Sequence, residues 1–310
     1  MAGRVFRSSD TSAPALTDGA GSLLTVLDAV LVDGYGSTSP LGWSRPFTPS
    51  GNICVYQSNA GNQRYLRLND TANLSTLAIA YETMTDLSTG TGEMSAANSY
   101  INKTPYTSYT VTSWILVSNG KIVYFETSDG YGFIFGDFPS YVPNDQYNTI
   151  LITDTAEVAG SSGYFSGQPI GCMTRQYGGT LVGHYVARSY TQLGGAVAVS
   201  KTQAQQFDVY AASWDQFPIG SLSQLGFGMV VDDTVRYSQI QILESSSALR
   251  GYLPGLWAPL YSQADSSVVR GDTQTGTTGT DLDGKTLEAV QWSDVTGLQF
   301  IETSDTWPTY

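Results

Sequence analysis

The stretch SWILVSNGKIVYFETSDGYGFIFGDF, residues 113–138, constrains what this chain can fold into more than any other part of it. Asn119-Gly120 is the strongest short hairpin signal a sequence offers, because a two-residue hairpin turn needs positive φ at its centre and Asn and Gly tolerate it. Apolar runs flank it at Trp114 to Ser118 and Lys121 to Thr127, with apolar residues on both faces of each. Asp129-Gly130 repeats the turn signal, and Phe133 to Phe135 supplies a third run. The spacing predicts a three-stranded meander packed on both sides over much of its length.

Strand signals continue in NICVYQ, YLRLN, LAIAYE, NTILIT, TLVGHYVAR, GAVAVS, QFDVYAA, FGMVV and VRYSQIQIL, and a last pair, KTLEAVQW and GLQFIET, closes the chain. One segment reads as a helix. In SLLTVLDAVLVDGYG, Leu23, Leu27, Val30 and Leu31 fall on one face over residues 22–32, with Ser22 placed to cap the start and Gly34 to stop the end. TGTGEMSAANSYINKT and RGDTQTGTTGTDLDGK read as loops, the latter as a long surface loop. Abundant Gly (33) and Tyr (20) with only 13% charged residues suits short strands joined by polar turns. The expected fold is mainly β: packed antiparallel sheets, sandwich-like, with one short N-terminal helix. Residues 1–310 read as a single mostly-β unit, and a division into two sub-domains would fall near 155–180.

The net charge of −13 repels phosphate backbones, so nucleic acid is not an expected partner. Cys54 and Cys172 lie far apart in sequence, which predicts free, buried thiols rather than a disulfide framework. MAGRVFRSSDTSAPAL lacks the apolar centre of a signal peptide, and no apolar run reaches the roughly 20 residues of a membrane helix.

Candidate chemistry centres on ETSD, which occurs at 126–129 and again at 302–305. Glu126, Asp129 and Asp137 sit among aromatics, and glycoside cleavage needs two carboxylates about 5 to 9.5 Å apart. Tyr131, Tyr141 and Trp257 are candidate platforms for a sugar ring. Asp and Ser at a strand exit also set turns by bonding their own backbone, and both copies fit that role better. His184 is the only histidine, sits in a strand-like run and has no GxSxG partner, which favours a structural role. DLDG at 281–284 opens like a calcium loop but has Trp292 where a bidentate Glu belongs, so it reads as a turn. No catalytic set, cofactor motif or metal set is assembled by these residues, and no enzymatic activity is expected.

Longer blocks carry a resemblance. VFRSSDTSAPALTDGAGSLLTVLDAVLVDGYG, GW (42–43), AYETMTD (80–86), FIFGDFPSY (133–141), ARSYTQLGG (187–195), LRGYLPGLWAPL (249–260), RGDT (270–273) and FIETSDTW (300–307) make the chain resemble a virion structural protein family of tailed bacteriophages. The match runs along the whole chain, and its first block and LPGLWAPL are the most specific parts. The ETSDG copy at 126 is not part of it. The resemblance implies a non-enzymatic particle component present in many copies, assembled in the host cytoplasm and located in the virion. Its implied partners are copies of itself and other virion proteins, with weak contact to host surface glycans. Tail, neck or baseplate is the expected place. Head decoration and a virion-surface carbohydrate-binding adhesin or glycan hydrolase are the alternatives.

A virion component buries surface against neighbours, and Trp beside Pro offers much area at little entropic cost. GYLPGLWAPLY (251–261) and the final TSDTWPTY have that composition, which nominates Trp257, Pro259, Trp307 and Tyr310 as interaction residues. Two prolines argue against a central strand in GYLPGLWAPLY, leaving a buried rigid connector or an exposed contact ribbon.

Overall fold

The hairpin at residue 119 forms, with its turn one step along the chain from the expected centre. In the computed structural model Ser118 pairs with Val123, which leaves Gly120 and Lys121 at the tip. Only Gly120 of the Asn-Gly pair has positive φ, at 89°. Asn119 works through its side chain instead: Oδ1 accepts from Lys121 N at 3.0 Å and Ile122 N at 3.1 Å. The side-chain turn replaces the backbone turn that the dipeptide suggests.

The described residues are 3–94, 99–103, 112–128, 131–153, 184–186, 197–203, 237–244, 248–259, 271–275, 282–291, 298–304 and 307. In chain order the strands begin with β1 (Arg4–Arg7), β2 (Ser44–Ser50), β3 (Ile53–Gln57), β4 (Tyr65–Asn69), β5 (Ser75–Asp86), β6 (Thr91–Met94) and β7 (Ser99–Asn102). The meander follows as β8 (Trp114–Ser118), β9 (Ile122–Thr127) and β10 (Gly132–Asp137), extended by β11 (Thr149–Thr153) and β12 (His184–Val186). The remainder are β13 (Val197–Gln203), β14 (Tyr237–Glu244), β15 (Ala248–Pro259), β16 (Thr273–Thr275), β17 (Thr286–Gln291) and β18 (Leu298–Glu302). The fold is mainly β, as expected, and the strand pairs are antiparallel. A six-stranded sheet holds β2 to β7, and a twelve-strand path runs β1-β8-β9-β10-β11-β12-β13-β14-β15-β18-β17-β16.

Alternation along the meander explains how the layers stack. Trp114, Leu116, Val123, Phe125, Phe133, Phe135 and Leu151 point to one side, into a core shared with the helix and with Tyr56, Leu66 and Leu68 of the six-stranded sheet. Ile115, Val117, Ile122, Tyr124, Ile134 and Ile152 point to the other, against Leu253, Leu256, Val290, Ile301 and Trp307. The meander is therefore the middle layer of three, which is why β8, β9 and β10 are buried along their whole length.

The helix is split. α1 spans Ser22–Leu27 and continues as a π-helical segment, Asp28–Asp33, ending at Gly34 as expected. Leu23, Leu27, Val30 and Leu31 are all fully buried. Ser22 is not the cap. Gly21 holds that position at φ 80°, and the Ser22 hydroxyl accepts from Thr17 N at 2.7 Å. Asp70, far along the chain, receives the free helix N–H groups of Leu23 at 3.0 Å and Leu24 at 3.4 Å.

GYLPGLWAPLY corrects a second expectation. Its residues up to Pro259 lie in β15, a central strand between β14 and β18. Register on β14 jumps from Gln239–Trp257 to Ile240–Leu253, so Pro254, Gly255 and Leu256 face no β14 partner. The bulge is what admits Pro254, whose missing N–H would otherwise break the ladder. TGTGEMSAANSYINKT holds β6 and β7, and the expected long loop at 270–285 contains β16. The candidate strands QFDVYAA and FGMVV, the Asp129-Gly130 turn and the 155–180 boundary lie outside the described residues.

Candidate functional site

At one end of the second core the layers part into a cleft of about 280 Å³. Strand register builds one wall: Arg7 pairs with Ile115, and Ile115 with Glu126, so three strands present a row on the same face. β17 supplies the other wall, where Glu288 shares a side with the core residue Val290. The Arg7 guanidinium spans the gap as a fork on Glu288, with Nη1 donating to Oε1 at 2.8 Å and Nη2 to Oε2. That hydrogen bonding raises the Arg7 pKa. Trp114 borders the cleft, but its indole packs on the far face, 6.4 Å from Phe125, with Nε1 donating to Pro14 O at 2.9 Å. Arg7, Glu126, Glu288 and three serines give the cleft a polar lining.

Glu126 and Asp137, two of the carboxylates nominated from sequence, are not brought together. Glu126 lies opposite Gly132, and Asp137 is five residues further along β10, roughly 16 Å away at about 3.3 Å per residue. They also face opposite sides: Glu126 follows Ile122 and Tyr124, whereas Asp137 follows Phe133 and Phe135. Asp129 is outside the described residues. Asp137 instead ties the loop between β3 and β4 to the meander, accepting from Asn62 N and from the Thr149 hydroxyl, each at 2.5 Å.

Burial raises the Asp137 pKa above its ordinary 3.8, outweighing the opposing pull of Thr149, Asn62, Arg64 and Lys121. A raised folded-state value means that the native state holds this proton more tightly than the unfolded chain. The stabilisation is complete below the unfolded value and is lost as pH rises through the folded one. Asp137→Asn keeps the shape and removes the titration. The melting temperature of the variant minus that of the wild type is therefore expected to grow as pH rises from about 4 to about 8. Thermal scans across that range check it, and a difference that shrinks with pH contradicts it.

The second ETSD copy has a different environment. Glu302 ends β18, where Ser304 Oγ donates to its Oε1 at 2.8 Å and Lys285 Nζ approaches at 3.4 Å. Burial still lifts its pKa, against the pull of Ser304, Lys285 and Trp257. In the first copy the Thr127 hydroxyl accepts from Tyr131 N at 3.1 Å. The four-residue echo is thus two local solutions at two strand exits.

The two tryptophans nominated for contacts lie inside the chain. Trp257 is 6% exposed among Leu282, Leu287, Ala289 and Phe300. Trp307 is 3% exposed, packs 5.5 Å from Tyr124 and donates Nε1 to Glu302 O at 2.9 Å. An indole enclosed by its own chain has little area left for a neighbour, so both act as core anchors. Pro259 ends β15 opposite Tyr237, and Tyr310 is outside the described residues. Among the sugar-platform candidates Tyr141 is exposed, Tyr131 is half-buried and Trp257 is buried. His184 lies in β12, paired with Ile152. Cys54 is a free, buried thiol whose pKa burial pushes up to about 11, and Cys172 is outside the described residues. Of DLDG, Leu282 to Gly284 form a turn in which Lys285 N donates to Leu282 O at 2.8 Å, and Asp281 is outside the described residues.

Sequence reasoning missed three long-range ion pairs: the half-exposed Arg7–Glu288 and the buried Asp70–Lys103 and Asp145–Arg250. Their only signal was scarcity. In a chain this poor in charge, Arg250 inside an apolar run and Glu288 inside TLEAVQ call for partners, but nothing in the sequence says which. No family model matches the chain, and no curated protein matches it.

Proposed function

We propose that this chain is a non-enzymatic structural component of a tailed-phage virion, acting by subunit packing in the tail, neck or baseplate. One observation carries the reading: its ion pairs, two of them fully buried, bind distant segments of the chain to one another. Arg7–Glu288 joins two layers, Asp70–Lys103 anchors the helix start, and Asp145–Arg250 fixes a loop to β15. Groups held this way serve cohesion, whereas a hydrolase needs carboxylates converging on a shared substrate atom. The separation of Glu126 from Asp137 and the resemblance along the chain favour the same reading. Copies of itself and other virion proteins are its proposed partners.

Reconstruction of the whole particle is the test, since it also separates tail from head decoration. The expected result is repeated density for this chain at a subunit contact. Incubation with host surface polysaccharide and a panel of ester and glycoside substrates is expected to give no turnover. Turnover abolished by Glu126→Gln would overturn the reading.

A further inference from the structure

We propose that the loop formed by residues 139–148 is a self-association face, where two copies of this chain meet through Tyr141. The inference rests on the multi-copy reading above and gives it a place on the molecule.

Tyr141 is 51% exposed, and its ring lies 5.9 Å from that of Tyr252, which is 4% exposed. An exposed aromatic thus stands on a buried one. The loop around it is clamped to β15. Tyr141 N donates to Arg250 O at 2.9 Å, and Tyr252 N donates to Pro139 O at 3.2 Å. Beneath it, Arg250 donates Nε to Asp145 Oδ2 at 2.8 Å and Nη2 to Oδ1 at 3.0 Å, and Ser140 Oγ donates to the same Oδ2 at 2.6 Å. Tyr147 carries the Arg64 guanidinium 5.4 Å above its ring. Pro143 is exposed at the tip. A Tyr and Pro surface already held in one shape loses little freedom on docking.

Charge selects the partner. The chain carries −13, so two copies repel over most approaches. Within residues 139–148 the only acidic or basic side chain is Asp145, and Arg250 neutralises it under the surface. Arg64, lying over Tyr147 and donating to Gln146 O at 3.2 Å, adds one cation to the rim, so two copies of this loop meet without opposing anions, which permits the self-complementary contact of a two-fold dimer. Among the described residues the other large exposed apolar side chain, Leu87 at 60%, lacks that property. It adjoins Asp86, whose carboxyl is drawn down to about 2 by hydrogen bonds from Ser88 and Thr89, so two such tips would bring anions together.

Sedimentation equilibrium of the full chain tests the proposal. Wild type is expected to self-associate at about 0.1 mM, and Tyr141→Ser to weaken the association at least tenfold, about 1.4 kcal/mol. Leu87→Ser is expected to behave as wild type. Raising salt from about 0.05 to about 0.5 M is expected to strengthen the dimer, because screening relieves the repulsion between acidic chains. Pro143→Glu should dissociate it, and an equimolar mixture of Pro143→Glu with Pro143→Lys should restore it. A monomeric wild type, an unchanged Tyr141→Ser, weakening with salt, or a mixture that does not recover would each overturn the proposal. If Tyr141→Ser lowers the melting temperature, the Pro143 mixture decides alone. The chain's presence in purified particles is a separate readout: absence there with dimers in solution sinks the virion reading and leaves this face standing.

Discussion

Trp307→Ala is expected to remove about 3–5 kcal/mol of folding stability, as large buried aromatics do when truncated. Four segments close on this indole. Tyr124 of the meander lies 5.5 Å away by ring centroid, and Glu302 O accepts the indole N–H. A Cβ added at Gly255 would sit 2.6 Å from the ring, and Gly255 holds φ 72°, so a side chain there meets both a clash and a strained backbone. From the other end of the chain, a Cβ on Gly3 would come within 2.8 Å of Nε1. Because glycines are packed against the ring, the surroundings have few side chains able to collapse into the space it leaves. Trp307→Phe should recover part of the loss, since it fills most of the volume without the N–H. Urea unfolding of the three proteins measures this, and a loss below about 1 kcal/mol for the alanine variant would return Trp307 to the surface role.

Lys103→Met is expected to cost a similar amount, about 3–5 kcal/mol, because it leaves the buried Asp70 carboxylate uncompensated. Both side chains are fully buried. Lys103 Nζ donates to Asp70 Oδ1 at 2.7 Å, Gly19 O at 2.8 Å and Ala72 O at 3.1 Å. Asp70 in turn accepts from Thr76 Oγ1 at 2.6 Å and from the first N–H groups of α1. The helix start, β5 and the β7 exit hang on one carboxylate. Adding Asp70→Asn to Lys103→Met removes the stranded charge while keeping an acceptor for the helix. The double variant should therefore be more stable than Lys103→Met alone, and strict additivity of the two losses would refute the coupling.

Residues 113–138 were legible because period and burial agree there: most inward positions on both faces are apolar, and the buried polar ones, Ser118, Glu126, Thr127 and Asp137, fall at strand ends. The candidate strand YLRLN was likewise legible to its ends, and matches β4. β15 was not. Its prolines are read correctly as ladder-breakers, but a bulge is a property of two strands and β14 supplies the other half. α1 was legible by its apolar face and illegible at its cap, since the capping carboxylate arrives from residue 70. The candidate site followed the same division. Glu126 was singled out for its neighbours in sequence, while its cleft is made by Arg7 and Glu288, which pair across a separation of 281 residues. Trp257 and Trp307 were read from composition, which reports that an aromatic is valuable and not whether its own chain has already enclosed it.

That separation between Arg7 and Glu288 bears on how the chain comes into being. β1 leaves the ribosome long before the partner of its arginine, which is synthesised 281 residues later. Contacts of such length make folding slow, because the loop must be closed before the contact rewards it. The clamp between the middle and outer layers is thus withheld until translation has passed residue 288. A nascent chain has its meander early and its third layer late, and the isoleucine face of the meander stays uncovered in the interval. Synthesis order therefore makes the second core a checkpoint: only a chain translated past residue 288 can join its middle layer to its outer one through this clamp.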